Sequence, residues 1–515
     1  MLGVGVMNEV DNNAKDVPAI ASVQNSLSQI SNNKKKIIKN FFFNALYQIF
    51  LIIIPLITTP YISRVLSPEG VGQYSFSSSL ITYFTICAVL GANLYGQREI
   101  SKYQGNKHAQ SIVLWEVFIV RVVSSVLCLI INLIFCGLNL YGAYNNLMFI
   151  LSLNIFAVIF DFSYVMMGNE AFGKLALRNF LVKILNVICI FIFVKSSNDV
   201  WIYTLIQALS VFVSGLVTIP YLYKHMEKVQ FRELNTLKRV PQILKLFLPT
   251  IIISIYSILD KTLVGMILKD DRLNGYYDQT DKIIKLVLAL VTALSSVMIS
   301  RNSEEKQKGN VVVLKENVYF ASKIVYFLAL PFMFGIMAIS KNMNLWFFGE
   351  GYAEVSMLMI TLAPIILAIG LNNVTGVQYL ISVGRETTFT VTVLIGAIVN
   401  LTLSIGLVFA FGVAGAMISS VVAEIVILIV QLVILRKEIS LKKFLLGGWK
   451  NLVASLTMFG VLWLVQENLS SSLLNTALLI LLGGGIYFIV ILILQDDLMK
   501  ILVKKIVKRK INSEN

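Results

Sequence analysis

Long, nearly uncharged apolar runs recur along this chain from residue 40 to residue 494. About twenty such residues, at 1.5 Å per residue, cross about 30 Å of hydrocarbon as a helix. Fourteen segments meet that description: 40–61, 74–96, 112–137, 146–168, 179–194, 200–223, 246–268, 279–300, 318–340, 355–381, 388–410, 413–435, 451–466 and 472–494. Outer-membrane barrel strands are shorter and alternate polar with apolar, so a barrel is excluded. The expected fold class is an all-α integral membrane protein of about 14 transmembrane helices.

Lysine and arginine placement sets the orientation. With the N-terminus inside, thirty-one of the 43 basic residues fall in inward segments and five in outward loops: Arg64, Lys195, Lys269, Arg272 and Lys341. Cytoplasmic loops of membrane proteins carry such an excess, and one false span would reverse every later loop. A net charge of +15 also raises nucleic-acid binding. Here the cations are spread over eight inward segments with no groove-reading motif, so no nucleic-acid partner is expected. The tail KILVKKIVKRK (500–510) reads as one more inward basic segment, with contact to anionic headgroups as the alternative.

Four Cys and two His exclude a disulfide framework and a metal centre. Cys87, Cys128, Cys136 and Cys189 lie in apolar spans without a CxxC spacing, and His108 and His225 are far apart. There is no Walker sequence. No cofactor is expected. The outward loops are short, too short for the catalytic domain that enzymes acting on lipid-linked sugars need. A transporter is therefore expected rather than an enzyme. Residues 1–36 read as a polar tail without a signal-peptide pattern, disordered or an over-long start.

An internal repeat organises the spans. Gly72-Gln-Tyr74-Ser-Phe-Ser77 opens span 2, and Gly275-Tyr-Tyr277-Asp-Gln-Thr280 opens span 8. Asn186 in span 5 and Asn400 in span 11 make a second match. Both are six spans apart. An even offset keeps the copies in one orientation, which predicts parallel halves. The expected organisation is an N-lobe at 37–226, a linker at 227–245, a C-lobe at 246–436, two appended spans at 449–495 and a basic tail at 496–515. Pro55 and Pro249 are expected to bend spans 1 and 7, as hinges or as packing kinks.

The stretches PYISRVLSPEGVGQYSFSSSLITYF (60–84) and LGANLYGQREIS (90–101) resemble the polysaccharide flippases. These are the O-antigen and lipid-linked oligosaccharide flippases of the multidrug/oligosaccharidyl-lipid/polysaccharide exporter superfamily. DFSYVMMGNEAFGKLALRNFLVKIL (161–185), LDKTLVGMIL…NGYYDQTDKI (259–284) and NLTLSIGLVFAFGVAGAMISSVVAE (400–424) agree. The resemblance covers about 40–440. It implies two lobes around a central cavity, alternating access, and an undecaprenyl-pyrophosphate-linked sugar as cargo. The setting it implies is a bacterial cytoplasmic membrane with both termini cytoplasmic, and glycan polymerase machinery as a further partner beside membrane lipid.

Such a cargo sets a physical demand. A charged headgroup cannot cross hydrocarbon unpaired, because burying it costs several kcal/mol or more. Arg or Lys must meet the pyrophosphate, with hydroxyl and aromatic groups for sugar. Charged residues inside spans are the candidates. For the cargo these are Arg64, Tyr74, Arg121, Lys261, Tyr277, Lys282 and Lys285. Asp278/Lys282 and Asp281/Lys285 are i,i+4 pairs that form either a ladder on a cavity wall or simply the polar start of span 8. Arg121 sits about ten residues into span 3, facing a cavity or pairing with Glu116 or Asp161. Coupling-ion candidates are Asp161, Asp260, Asp278 and Glu424. Burial disfavours the charged form of an isolated acid such as Glu424, which suits a proton or sodium site; a hydrogen bond to a neighbouring helix is the alternative. Lys183 and Lys323 read as snorkelling residues. Tyr74 and Tyr277 occupy matching repeat positions and are assigned to the cavity. Two other functions remain in view: a multidrug/cation antiporter of the same superfamily, and a membrane-embedded glycan polymerase or ligase. The first prefers an acidic aromatic cavity, whereas bases here at least match acids.

Overall fold

The computed structural model describes the backbone of residues 17–293 and 295–500, and side chains from residue 53 onward except 248, 249, 253, 294, 296, 297 and those beyond 500. Among the described residues every regular element is helical. In chain order these are α1 (Val17–Val89), α2 (Ala92–Lys102), α3 (Lys107–Gly137), α4 (Asn145–Phe160), α5 (Ser163–Gly168), α6 (Phe172–Phe193), α7 (Val200–Leu216) and α8 (Ile219–His225). The second half holds α9 (Thr236–Leu268), α10 (Asp271–Thr292), α11 (Ser295–Gln307), α12 (Val311–Phe348), α13 (Val355–Leu362), α14 (Ile365–Asn372), α15 (Glu386–Phe411) and α16 (Val413–Leu435). Then come α17 (Leu441–Leu446), α18 (Trp449–Gln466) and α19 (Leu473–Ile493).

Twelve segments among the described residues are long and apolar enough to span a bilayer, against an expected fourteen. Two causes account for the difference. Ile53–Lys102 counts as one segment of 50 residues and covers the first two expected spans. The expected loop at 62–73 shrinks to a break in α1 at Ser67, whose φ is 60° and ψ 170°. Pro68 follows it, where its fixed φ and missing N–H suit the first turn of a new helix. Ile62 and Val71, on either side of the break, join one apolar cluster. The second cause is α10, which spends its length on Asp278, Asp281, Lys282 and Lys285 and is too polar to qualify.

The helix of α1 already runs from Val17, inside the stretch read as a tail, while residues 1–16 and the tail beyond Lys500 lie outside the described residues. The side chain of Pro249 is likewise not described. The torsions of α1 stay helical through Pro55 and Pro60.

Helix breaks coincide with polar residues. Span 4 divides into α4 and α5 at Asp161 and Phe162, and span 6 into α7 and α8 at Val217 and Thr218. The Thr218 hydroxyl donates to the Gly215 carbonyl and accepts from the Phe162 amide, at 2.6 and 3.3 Å, tying the two breaks together. Span 10 ends in a π-helical stretch, Asn373–Ile381.

The two asparagines of the sequence repeat each bond to the following helix. Asn186 donates to the Ile206 carbonyl at 3.4 Å, and Asn400 donates to the Ser420 hydroxyl at 3.4 Å; each partner lies twenty residues ahead. The linker at 227–245 is fastened to the first half. Arg239 pairs with the buried Glu116 at 2.8 Å, and the Asn235 amide donates to the same carboxylate at 2.7 Å. Glu233 meets His108 at 2.6 Å.

Candidate functional site

The polar groups of α9 and α10 assemble first. In α10, Asp278 and Asp281 lie four residues before Lys282 and Lys285, so each acid reaches its base along one face. The pairs close at 2.6 and 2.8 Å. Lys261 of α9 inserts between them, with its Nζ 2.6 Å from Asp278 and 3.2 Å from Asp281. The result is an alternating ladder, Lys282–Asp278–Lys261–Asp281–Lys285. The acids are nearly buried, while side-chain exposure rises from 19% at Lys261 to 32% at Lys282 and 57% at Lys285. Three bases over two acids leave an excess positive charge at the exposed end.

This ladder sits where the two halves meet. The Gln279 amide donates to the Ser63 hydroxyl of α1 at 3.0 Å. Thr262 of α9 joins Ser79 and Tyr83 of α1 at 3.1 and 3.0 Å. Tyr74 packs edge-on against Tyr203 with centroids 4.8 Å apart, and both rings lie within electrostatic reach of Asp278.

Asp260 turns the other way, as neighbouring helical residues must. It is 6% exposed and its carboxylate accepts from Ser404 at 3.0 Å, from Tyr277 at 3.3 Å, from Asn400 at 3.5 Å and from Ser420. Four residues from Ser420 on α16, Glu424 accepts from Tyr256 at 2.9 Å and from Asn372 at 2.6 Å. Tyr256 is four residues before Asp260 on α9. Two antiparallel helices thus bring two buried acids together about one turn apart. Neither acid forms an ion pair with a described base. The oxygens of such a pair can bind a proton or a small cation.

The remaining sequence candidates go elsewhere. Arg64 donates to the Trp346 carbonyl at the end that the basic-residue count places outside. Arg121, 1% exposed, donates to the Val158 and Asp161 carbonyls and so satisfies the C-terminal end of α4. Asp161 is 3.9 Å from it. Glu116, the other partner considered for Arg121, belongs to Arg239. Lys323 meets Asp497 at 2.6 Å. Ser404, Ser420, Tyr256 and Asn372 were not anticipated. Their signal was a polar residue four positions from another on an otherwise apolar helix: Asn400 and Ser404, Ser420 and Glu424, Tyr256 and Asp260.

Long, broken, apolar helices joined by short connections, with buried polar groups bonded to one another between helices, are those of a multi-pass membrane protein. Residues 37–304, more than half of the chain, match the family described as "Polysaccharide biosynthesis protein", and the chain belongs to that family. A protein of Escherichia coli (strain K12) named "Putative O-antigen transporter" is 23% identical over 420 residues, covering 79% of this chain and 99% of that one. Among solved structures, lipid II flippase MurJ in an inward closed conformation superposes with a TM-score of 0.74 at 20% identity, over 89% of this chain and all of that one. An inward-facing multidrug resistance MATE family transporter of the MOP superfamily gives 0.58 at 14% identity, over 80% and 98%. These relatives are transporters and flippases, not enzymes.

Proposed function

We propose that this protein flips an undecaprenyl-pyrophosphate-linked oligosaccharide, an O-antigen or capsule repeat unit, from the cytoplasmic to the outer leaflet of a bacterial cytoplasmic membrane. The observation that carries the reading is the ladder of three lysines over two aspartates at the junction of α1, α9 and α10. Its exposed lysines offer charge-assisted bonds to a pyrophosphate, while the buried acids keep the array from being an uncompensated cluster of cations. Tyr74, partly exposed, suits sugar stacking, whereas the Tyr277 ring is buried with its hydroxyl on Asp260 and supports that acid instead. Residues 37–226 and 246–436 would be the two lobes of an alternating-access cycle, with glycan polymerase machinery downstream.

The driving force in this reading is an ion gradient or the membrane potential. Asp260 in its cage of hydroxyls and amide, and Glu424 beside it, form the coupling pair. Asp278 is held by two lysines and serves the ladder instead.

The test is restoration of surface glycan in cells that lack their own flippase. Lys261→Ala and Lys282→Ala should each abolish surface glycan at unchanged protein level and leave lipid-linked repeat units in the inner leaflet. Full assembly in both would refute the assignment. A drug-sensitivity phenotype with normal glycan would instead indicate the multidrug/cation antiporter.

A further inference from the structure

Inside the first half, away from the ladder, α3, α4, α6 and α7 enclose a pocket of about 310 Å³. Its polar lining is dominated by donors. Arg121 lies along it, and the Nε–H of that guanidinium is buried with no acceptor among the described residues. Arg178 and Lys183 enter from successive turns of α6. Lys183 has neither an ion pair nor a hydrogen bond among the described residues, although it is only partly exposed. Ser210 and Ser214 lie one turn apart on α7 and line the same space.

Hydroxyls in apolar helices usually bond back to the carbonyl four residues earlier, as Thr204 does to Val200 at 2.7 Å on this same helix. Ser210 and Ser214 make no such bond among the described residues. The one carboxylate in the lining is Asp161. Arg178 donates to the Asn179 amide oxygen in the same lining, so the donors left without an acceptor among the described residues are the buried Arg121 Nε–H and the half-buried Lys183, Ser210 and Ser214. Buried donors in native proteins are nearly always satisfied. A ligand that is anionic and rich in acceptor oxygens would complete this pocket.

We propose that the pocket binds the phosphate headgroup of an anionic membrane lipid. Phosphate supplies several acceptor oxygens and negative charge to arginine, lysine and serine together. A lipid source fits the walls. Val211, which also lines the pocket, is 50% exposed on the outer face of α7, and Leu181 and Leu185 on α6 are 57% and 53% exposed beside it. Acyl chains can lie along that apolar surface while the headgroup reaches inward. The basic-residue count places this pocket at the cytoplasmic leaflet. It binds no part of the ladder and does not depend on the flippase reading.

The experiment uses the purified full chain in detergent and native mass spectrometry with dioleoyl phosphatidate, dioleoyl phosphatidylcholine and inorganic phosphate as probes. Phosphatidate should bind at least about tenfold more tightly than phosphatidylcholine. Lys183→Gln and the double change Ser210→Ala/Ser214→Ala should each weaken it by about tenfold or more, while Lys308→Gln, at an exposed ion pair just after α11, leaves it unchanged. The serine variant keeps every charge, so it reports on the pocket if the lysine variant folds poorly. Equal binding in all variants, or no preference over phosphatidylcholine, overturns the proposal. Displacement of the lipid by an equal concentration of inorganic phosphate overturns the lipid source and leaves a free-phosphate site.

Discussion

Gly72 and Gly275, the matching positions of the two repeats, meet backbone to backbone where α1 crosses α10. A Cβ on Gly72 would lie 1.7 Å from the Asp271 carbonyl oxygen, and one on Gly275 would lie 2.2 Å from that of Pro68. Any side chain there forces the two halves apart at this end. Gly275→Val should therefore disfavour the arrangement seen here. In a chain whose four cysteines are replaced, a short bifunctional thiol reagent should join Ser63→Cys to Gln279→Cys, since the Gln279 amide reaches the Ser63 hydroxyl at 3.0 Å in the native chain. Adding Gly275→Val should slow that cross-link by about tenfold. An unchanged rate would show that the contact tolerates bulk.

Lys261 is the keystone of the ladder, and its loss leaves Asp278 and Asp281 with only the more exposed lysines. Breaking a buried ion pair costs about 3–5 kcal/mol at most. Lys261→Met should lower the melting temperature in detergent, and Asp278→Asn in the same chain should restore part of the loss. Lys285→Ala, at a side chain 57% exposed, should cost about 1 kcal/mol or less. Comparable losses in both single variants would mean that burial does not set the ladder's worth.

Asp260→Asn keeps the size of the side chain and removes the ionisable group. If this acid couples an ion to transport, gradient-driven flipping should be lost or fall to the rate seen without a gradient. The amide oxygen can replace only one carboxylate oxygen, so the variant keeps either the Ser404 bond or the bonds from Tyr277, Asn400 and Ser420, and flux is compared at equal amounts of folded protein. Reconstituted vesicles with an imposed gradient read the difference. Full gradient-driven flux would exclude Asp260 from coupling.

The loop before α7 responds to acid. The amides of Lys195 and Ser196 donate to the Asp199 carboxylate at 2.8 and 2.7 Å and hold its pKa below the ordinary carboxylate value. With a lowered folded value, this contribution is present above the unfolded value of about 3.9 and is lost as pH falls through the folded one. Hydrogen exchange at these two amides should lose protection below pH about 3.9. Asp199→Asn should remove that pH dependence.

The sequence made some of this visible for physical reasons. Asp278/Lys282 and Asp281/Lys285 were legible because helical spacing alone joins them. The bridge from Lys261 was not, since it depends on how α9 packs on α10. The cage around Asp260 draws Ser404 and Ser420 from 144 and 160 residues away, and no local pattern announces that. Arg121 was marked by its depth, but its carbonyl partners exist only because α4 breaks at Asp161. Span 8 was countable from its apolar second half even though its first half is too charged to qualify by composition. The serines of the N-terminal pocket carried no signal beyond a spacing of four.

The two halves of the chain differ in the charged groups they bury. In the first half, Arg121 and Lys183 line a pocket in which Asp161 is the one carboxylate. In the second half, Asp260 and Glu424 stand without bases and, when ionised, outweigh the ladder's excess lysine. A transmembrane voltage exerts about 2.3 kcal/mol per charge per 100 mV. A proton or cation taken up by Asp260 or Glu424 therefore changes the force that voltage exerts on the pair of helices, α9 and α16, that carries them.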